Sequence, residues 1–189
     1  MITSKTEMRN DDLNRAPRIY LGLGSNLGER EANLKEAARR IIDSGLTIIR
    51  ESSIYETEPV GYADQPWFLN QVVEVARARA IAPGELLTGE LLAGELLESL
   101  LRIEREMGRR PSVPDGPRLI DIDLLLYGNI ILSQAEIILP HPRMHLRRFV
   151  LEPMAEIAPG VEHPAFGKTM AEMLAALEDS ATVRVYKTT

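Results

Sequence analysis

No cysteine occurs among the 189 residues, which removes disulfides, thiolate zinc sites and cysteine nucleophiles from consideration and fits a reducing compartment. No apolar run approaches the roughly 20 residues that span a bilayer. Residues 1–16, MITSKTEMRNDDLNRA, are polar, carry charges of both signs and contain no apolar stretch of signal-peptide type. A cytoplasmic protein without a membrane partner is expected, with residues 1–17 as a frayed tail and residues 18–189 as one domain. Positive charge is also short, with 22 Lys and Arg against 28 Asp and Glu and a net charge of −6. That balance excludes a general affinity for nucleic acid, which needs a basic footprint. Two phosphate-loop patterns are missing as well: GLGSNLG at 22–28 puts Leu27 where GxGxxG needs glycine, and no GxxxxGK[ST] occurs. Gly22, Gly24 and Gly28 are therefore read as turn formers.

What is present is an ordinary globular composition, 44% hydrophobic and 26% charged. Residues 18–24, RIYLGLG, alternate and stop at a GSN turn, as a strand does. In 29–44, Leu34, Ala37, Ala38, Ile41 and Ile42 recur at helical spacing before Gly45, a C-terminal stop. Residues 46–57 and 69–79 read as strands, joined by the long connection EPVGYADQPWF. A second helix is expected from Pro83 to about Met107, ahead of Gly108. Residues 119–127 read as a strand with a short partner at 129–132, 148–157 and 170–177 as helices, and 182–186 as a last strand. The order strand, helix, strand, strand, helix, strand predicts an α+β, ferredoxin-like split βαβ sheet with helices on one face.

Inside the second helix GELL repeats three times at a five-residue step, and five residues turn a helix by roughly 140°. The leucine pairs of this insertion (84–97) cannot share one face. It reads as a duplication that lengthens the helix. The alternative is that Leu86, Leu87, Leu91 and Leu92 cover an apolar patch or a second subunit, so a monomer is expected with a dimer through this segment as the other reading.

The chemistry concentrates at LIDIDLLL (119–126). Asp121 and Asp123 are two apart in a strand, so both carboxylates leave the same face. Such a pair among apolar neighbours asks for a cation, and hard oxygen ligands beside phosphate point to magnesium; the alternative is two solvated aspartates. Arg118 precedes them, and Arg109 and Arg110 lie in the same Gly/Pro-rich stretch, a grouping that suits a polyphosphate. Arg118 can equally be an ion pair that screens Asp121. In DQPWFLN (64–70), Phe68 and Asn70 share a strand face, where a ring and an amide could hold a flat heterocycle, or serve as a core residue and a turn cap. His141 and His145 form an HxxxH that Pro142 removes from a continuous helix, so zinc is rejected. His163 is assigned no role.

The ordered set GLGSNLG, YETEPVG, DQPWFLN, GPRLIDIDLLLYG and LPHPRM followed by RRF resembles the 6-hydroxymethyl-7,8-dihydropterin pyrophosphokinases of folate biosynthesis, over residues 18–159. The resemblance implies a ferredoxin-like fold, ATP as co-substrate, two magnesium ions, and pyrophosphoryl transfer giving AMP and the pterin diphosphate. It places Asp121 and Asp123 as metal ligands and, with Arg109 and Arg118, as the catalytic set. It implies ATP contacts at Glu104, Arg109, Arg118, Leu124, His141 and Arg147. Thr57, Val60, Phe68, Asn70 and Phe149 would bind the pterin. The chain departs from the family in GRRPSVPDGPR (108–118), which lacks the usual tryptophan before GPR, carries Asp115 there and is shorter. Pro142 and the GELL segment are further departures. Two rival readings are a ferredoxin-like domain that holds a nucleotide without reacting it, and an assembly subunit using its leucine-rich segment.

Overall fold

Strand β1 (Ile19–Ser25) alternates, and both of its faces are buried: Ile19, Leu21 and Leu23 point to one core, Tyr20 to another. The rest of the computed structural model, which describes residues 17–77, 89–110 and 113–187, is arranged around it. Helix α1 (Arg30–Asp43) buries Leu34, Ala37 and Ile41 and leaves Ile42 exposed; each fully buried leucine or isoleucine contributes about 1.5–3 kcal/mol. Gly45, at φ 94°, ends it by donating its N–H to the Ile42 carbonyl, a left-handed stop that favours glycine.

The chain continues through β2 (Leu46–Glu51), β3 (Tyr55–Thr57) and β4 (Phe68–Arg77). Helix α2 (Gly89–Glu106), β5 (Asp121–Tyr127), β6 (Leu132–Ser133) and β7 (Ile138–Leu139) follow. Helix α3 (Arg148–Ile157), α4 (Met170–Ala175) and β8 (Val183–Val185) complete it. The main sheet runs β5-β1-β4-β3-β8, with β2 also on β4, and every pairing is antiparallel. Stripped of β8, that is the expected split βαβ order, with β1 and β4 central.

Three expectations change. Helices cover both faces, not one: α1 and α2 pack on the first face, while α3 and α4 pack on the second around Tyr20, Val72, Leu125 and Met154. The strand expected over 46–57 is two strands, because its register against β4 slips between Ile48 and Arg50 and again before Tyr55; such bulges bend a strand and break its period. The short strand after β5 pairs with β7 in a separate two-stranded sheet.

Within the leucine-rich segment, residues 78–88 lie outside the described residues, and with them Pro83, Leu86 and Leu87. From Gly89 the helix is continuous, burying Leu92, Ala93, Leu96, Leu100 and Ile103, with Leu97 partly buried against the same core and Leu91 half exposed. The tail expected at 1–16 is likewise outside the described residues. Among the described residues no helix is long and apolar enough to cross a membrane.

Candidate functional site

Alternation places Gly22 and Gly24 on the second face of β1, where the ladders set Asp123 and Val72 beside Gly22, and Asp121 and Asn70 beside Gly24. The two glycines are thus in a strand, not in a turn as expected. They clear a floor three strands wide: a Cβ on Gly24 would meet the Asn70 Oδ1 at 2.9 Å, whereas one on Gly22 would make an ordinary contact with the Leu125 side chain at 3.5 Å. Only Gly28, at φ 62°, has the backbone of a turn glycine. Above the floor lies a cavity of about 200 Å3.

The predicted residues converge on it. Thr57, Val60, Phe68, Asn70, Arg109, Arg118, Asp121, Asp123, Arg147 and Phe149 all line the cavity. Asn70 donates to the Thr57 Oγ1 at 2.7 Å, and both are buried, so the amide presents its carbonyl oxygen with a fixed orientation. Phe68 lies under the Arg118 guanidinium and Phe149 under that of Arg147, at 5.5 and 5.3 Å from ring centre to carbon. Trp67 is turned away, beneath Arg184.

The two aspartates differ. Asp121 is held by Arg109 at 2.7 Å and by Arg118 at 2.8 Å, so the ion pair considered for Arg118 does form. Among the described residues Asp123 is ion-paired with His141 and Arg147, each at 3.9 Å. Its recess in the floor, together with the negative charge on Asp121, pushes its pKa up to about 6. A carboxylate short of partners beside a satisfied one fits a divalent cation held by one or two acids plus substrate phosphates. Among the described residues no group of three acids or histidines is placed to hold a metal ion.

His141 reaches Asp123 because β5 bulges at Leu125, whose carbonyl accepts the His141 N–H at 2.9 Å. Burial and the charges of Arg147 and Arg143 hold its pKa down to about 4. Its Nδ1 accepts from the Arg143 N–H at 3.3 Å, which leaves a neutral ring with Nε2–H facing the acid.

Three predicted residues do not line this cavity: His141, beside Asp123, and two that stand farther off. Glu104 is buried outside this cavity, ion-paired with Arg109 and accepting the Ile122 N–H at 2.7 Å on the edge strand. It positions Arg109 and the start of β5, and burial pushes its pKa up to about 7. Leu124 points to the opposite face, into the core with Leu21 and Leu23, so its side chain does not reach the cavity and only its backbone is near.

Asn26, Gln65 and Asp115 were given no site role by the sequence, whereas Arg143 belongs to the bunched basic run Arg143, Arg147 and Arg148 that could bind phosphate. Asn26 is buried in the GSN turn, accepts the Arg118 N–H at 2.7 Å and donates to Gln65 and Pro66 at 2.9 and 3.0 Å. The alternation of RIYLGLG already puts Gly22 and Gly24 on one strand face with Tyr20; nothing local marks Asn26, Gln65 or Asp115.

A model of the 7,8-dihydro-6-hydroxymethylpterin-pyrophosphokinase (HPPK) family matches residues 20–159. The chain is 42% identical over 169 residues to the 2-amino-4-hydroxy-6-hydroxymethyldihydropteridine pyrophosphokinase of Bacillus subtilis (strain 168), covering 89% of either chain. It is 40% identical over 169 residues to the protein of that name from Methylorubrum extorquens, covering 89% of this chain and 98% of that one. It also matches the mitochondrial folate synthesis bifunctional protein of Arabidopsis thaliana at 40% over 139 residues, 74% of this chain, and spans 23% of that longer protein. A solved HPPK-DHPS in complex with substrates superposes with a TM-score of 0.62 at 16% identity, over 85% of this chain and 43% of the other, a likeness in fold. With a match of this extent across the strands and loops that build the cavity, the chain belongs to the 7,8-dihydro-6-hydroxymethylpterin pyrophosphokinase family.

Proposed function

We propose that the protein transfers the pyrophosphoryl group of ATP to the hydroxymethyl group of 6-hydroxymethyl-7,8-dihydropterin, giving AMP and the pterin diphosphate, a step of folate biosynthesis. The observation that carries this reading is the juxtaposition, on one sheet face, of an aromatic and amide set with two strand carboxylates ringed by Arg109, Arg118, Arg143 and Arg147. The names of the relatives, pyrophosphokinases acting on a hydroxymethyl pterin, agree with it.

In this reading Phe68 and Phe149 take the faces of the pterin, Asn70 and Thr57 its polar edge, and Val60 the outer rim. Arg118, Arg147 and the Nε2–H of His141 bind the phosphates, with Arg109 held ready by Glu104. Asp121 and Asp123 would hold magnesium, two ions by the family resemblance, and magnesium when bound supplies neutralisation of the phosphoryl oxygens. The pterin hydroxyl oxygen bonds to the β-phosphorus as the bond from that phosphorus to the oxygen bridging it to the α-phosphorus breaks. AMP leaves with the bridging oxygen, and the hydroxyl proton passes to solvent. No general base is required of the protein, because phosphoryl transfer depends on alignment and charge stabilisation. The four guanidinia supply much of the latter.

Incubation with ATP, magnesium and the hydroxymethyl dihydropterin tests this. AMP and the pterin diphosphate are expected; ADP would indicate an ordinary kinase, inorganic diphosphate a nucleotidyltransferase, and either would overturn the proposal. Asp123→Ala should lose at least about 100-fold in turnover while its circular dichroism stays that of the wild type.

A further inference from the structure

The cavity of about 200 Å3 is smaller than the ~300–1,000 Å3 of ordinary small-molecule sites, and a nucleoside triphosphate with a pterin needs more. A second recess of about 500 Å3 adjoins it, lined by Leu101, Arg110, Val113 and Pro114 among others. Arg109, Asp115 and Arg118 line both recesses, so these three residues lie at the partition between them.

Asp115 is the acidic member of that partition. Its backbone is left-handed, at φ 53°, a conformation that residues other than glycine hold mainly when neighbours impose it, with Asp and Asn the most tolerant. The neighbours here are identifiable. Its carbonyl accepts from the Gln65 Nε2 at 2.8 Å, and its side chain rests on Gly61, where a Cβ would come within 3.1 Å of Oδ2. The carboxylate that this backbone aims inward approaches Arg143 at 3.4 Å and Arg147 at 3.9 Å. Arg147 in turn faces Asp123 at 3.9 Å and lies on Phe149, so Asp115 sits on the guanidinium that joins the acidic floor to the ring.

We propose that Asp115 is an internal stand-in for the nucleotide's phosphates, engaging Arg143 and Arg147 until the triphosphate takes those guanidinia from it and opens the partition. A carboxylate and a phosphate offer a guanidinium the same paired oxygens, so the exchange keeps the arginines partnered throughout. The contacts it gives up are long and a third of the Asp115 side chain is solvated, which makes it displaceable. Asp115 thereby acts as a positioning residue that sets how strongly a phosphate ligand must bind to enter, and it deepens the ATP-dependent reading above, on which it rests.

The test is calorimetric titration of the full chain with magnesium-ATP and, separately, with adenosine. Asn keeps the left-handed backbone but removes the charge, so Asp115→Asn should bind ATP about two- to fivefold more tightly at low ionic strength, the range expected for a partly solvated ion pair. Adenosine binding should be unchanged, and the gain should shrink when Asp115→Asn is made in an Arg143→Gln background and compared with Arg143→Gln alone. Asp115→Gly, which accepts φ 53° freely, is the second variant should the first fold poorly. If the wild type binds ATP and neither variant binds it more tightly, or if adenosine gains equally, the stand-in role is overturned while the proposed function stands. If the wild type does not bind ATP, both fall together.

Discussion

Gly24 faces Asn70 across the β1–β4 ladder, close enough that a single methyl group on Gly24 would come within 2.9 Å of the amide oxygen. The amide cannot simply retreat, because its other end is committed to Thr57. Gly24→Ala is therefore expected to weaken pterin binding about tenfold and to cost about 1–3 kcal/mol of stability, the range for a group forced into a packed site. Titration with the pterin and urea denaturation measure the two effects; unaltered pterin affinity would show that Asn70 is not part of the recognition.

Glu104 is a carboxylate whose partners are an arginine of the cavity and the N–H of the residue lying between the two aspartates. Removing it leaves the Ile122 N–H without its acceptor, at about 1–3 kcal/mol, and takes from Arg109 one of the two carboxylates that hold it, the other being Asp121. Glu104→Ala should lower both the denaturation midpoint and the turnover number, whereas Glu104→Gln, which keeps an acceptor for Ile122, should recover most of the stability and less of the rate. Equal recovery of both would mean that the charge pairing with Arg109 is immaterial to the reaction.

Asn26 holds the Arg118 backbone to the connection between β3 and β4 through Gln65 and Pro66. Asn26→Ala is expected to cost about 1–3 kcal/mol, since it leaves the Arg118 N–H without its side-chain acceptor, and to raise the KM for ATP and for the pterin together, because one residue anchors segments from both halves of the cavity. A change in only one KM would argue against that shared anchoring.

His163 is buried against the Phe166 ring, its Nδ1 accepting the Ala165 N–H at 3.3 Å and its Nε2 without a hydrogen-bond partner among the described residues. Burial, and then the nearby His145, hold its pKa below the ordinary 6.5. Between the lowered folded value and 6.5 the unfolded chain binds more protons, so stability rises with pH there and is lost on acidification below 6.5. One such group gives a slope of at most about 1.4 kcal/mol per pH unit. Urea midpoints of the wild type should fall from pH 7.5 to pH 5.5 by more than those of His163→Gln; parallel falls would assign the acid sensitivity elsewhere.

Much of this was legible wherever a period ran long enough to be read. The spacing of Leu34, Ala37 and Ile41 located α1, and the two-residue step from Asp121 to Asp123 put both acids on the cavity floor. The same step assigns Leu124 to the opposite face, which is why a position matched by resemblance does not bring its side chain to the site. Bulges and two-residue strands carry no period, so the break before Tyr55 and the pairing of Leu132 with Leu139 were unreadable. The contacts of Asp115 and Asn26 join segments 28 to 92 residues apart, and no local pattern encodes them.

Strand β1 is hydrogen-bonded along both edges and packed on its other face, which makes the glycine floor the least compliant part of the cavity. Differences in substrate or inhibitor size must then be absorbed by the surrounding loops rather than by the sheet. A compound fitted to that floor would meet a fixed template, whereas one fitted to the loop segment bearing Asp115 would, if the exchange proposed above operates, meet a surface that changes as the nucleotide arrives.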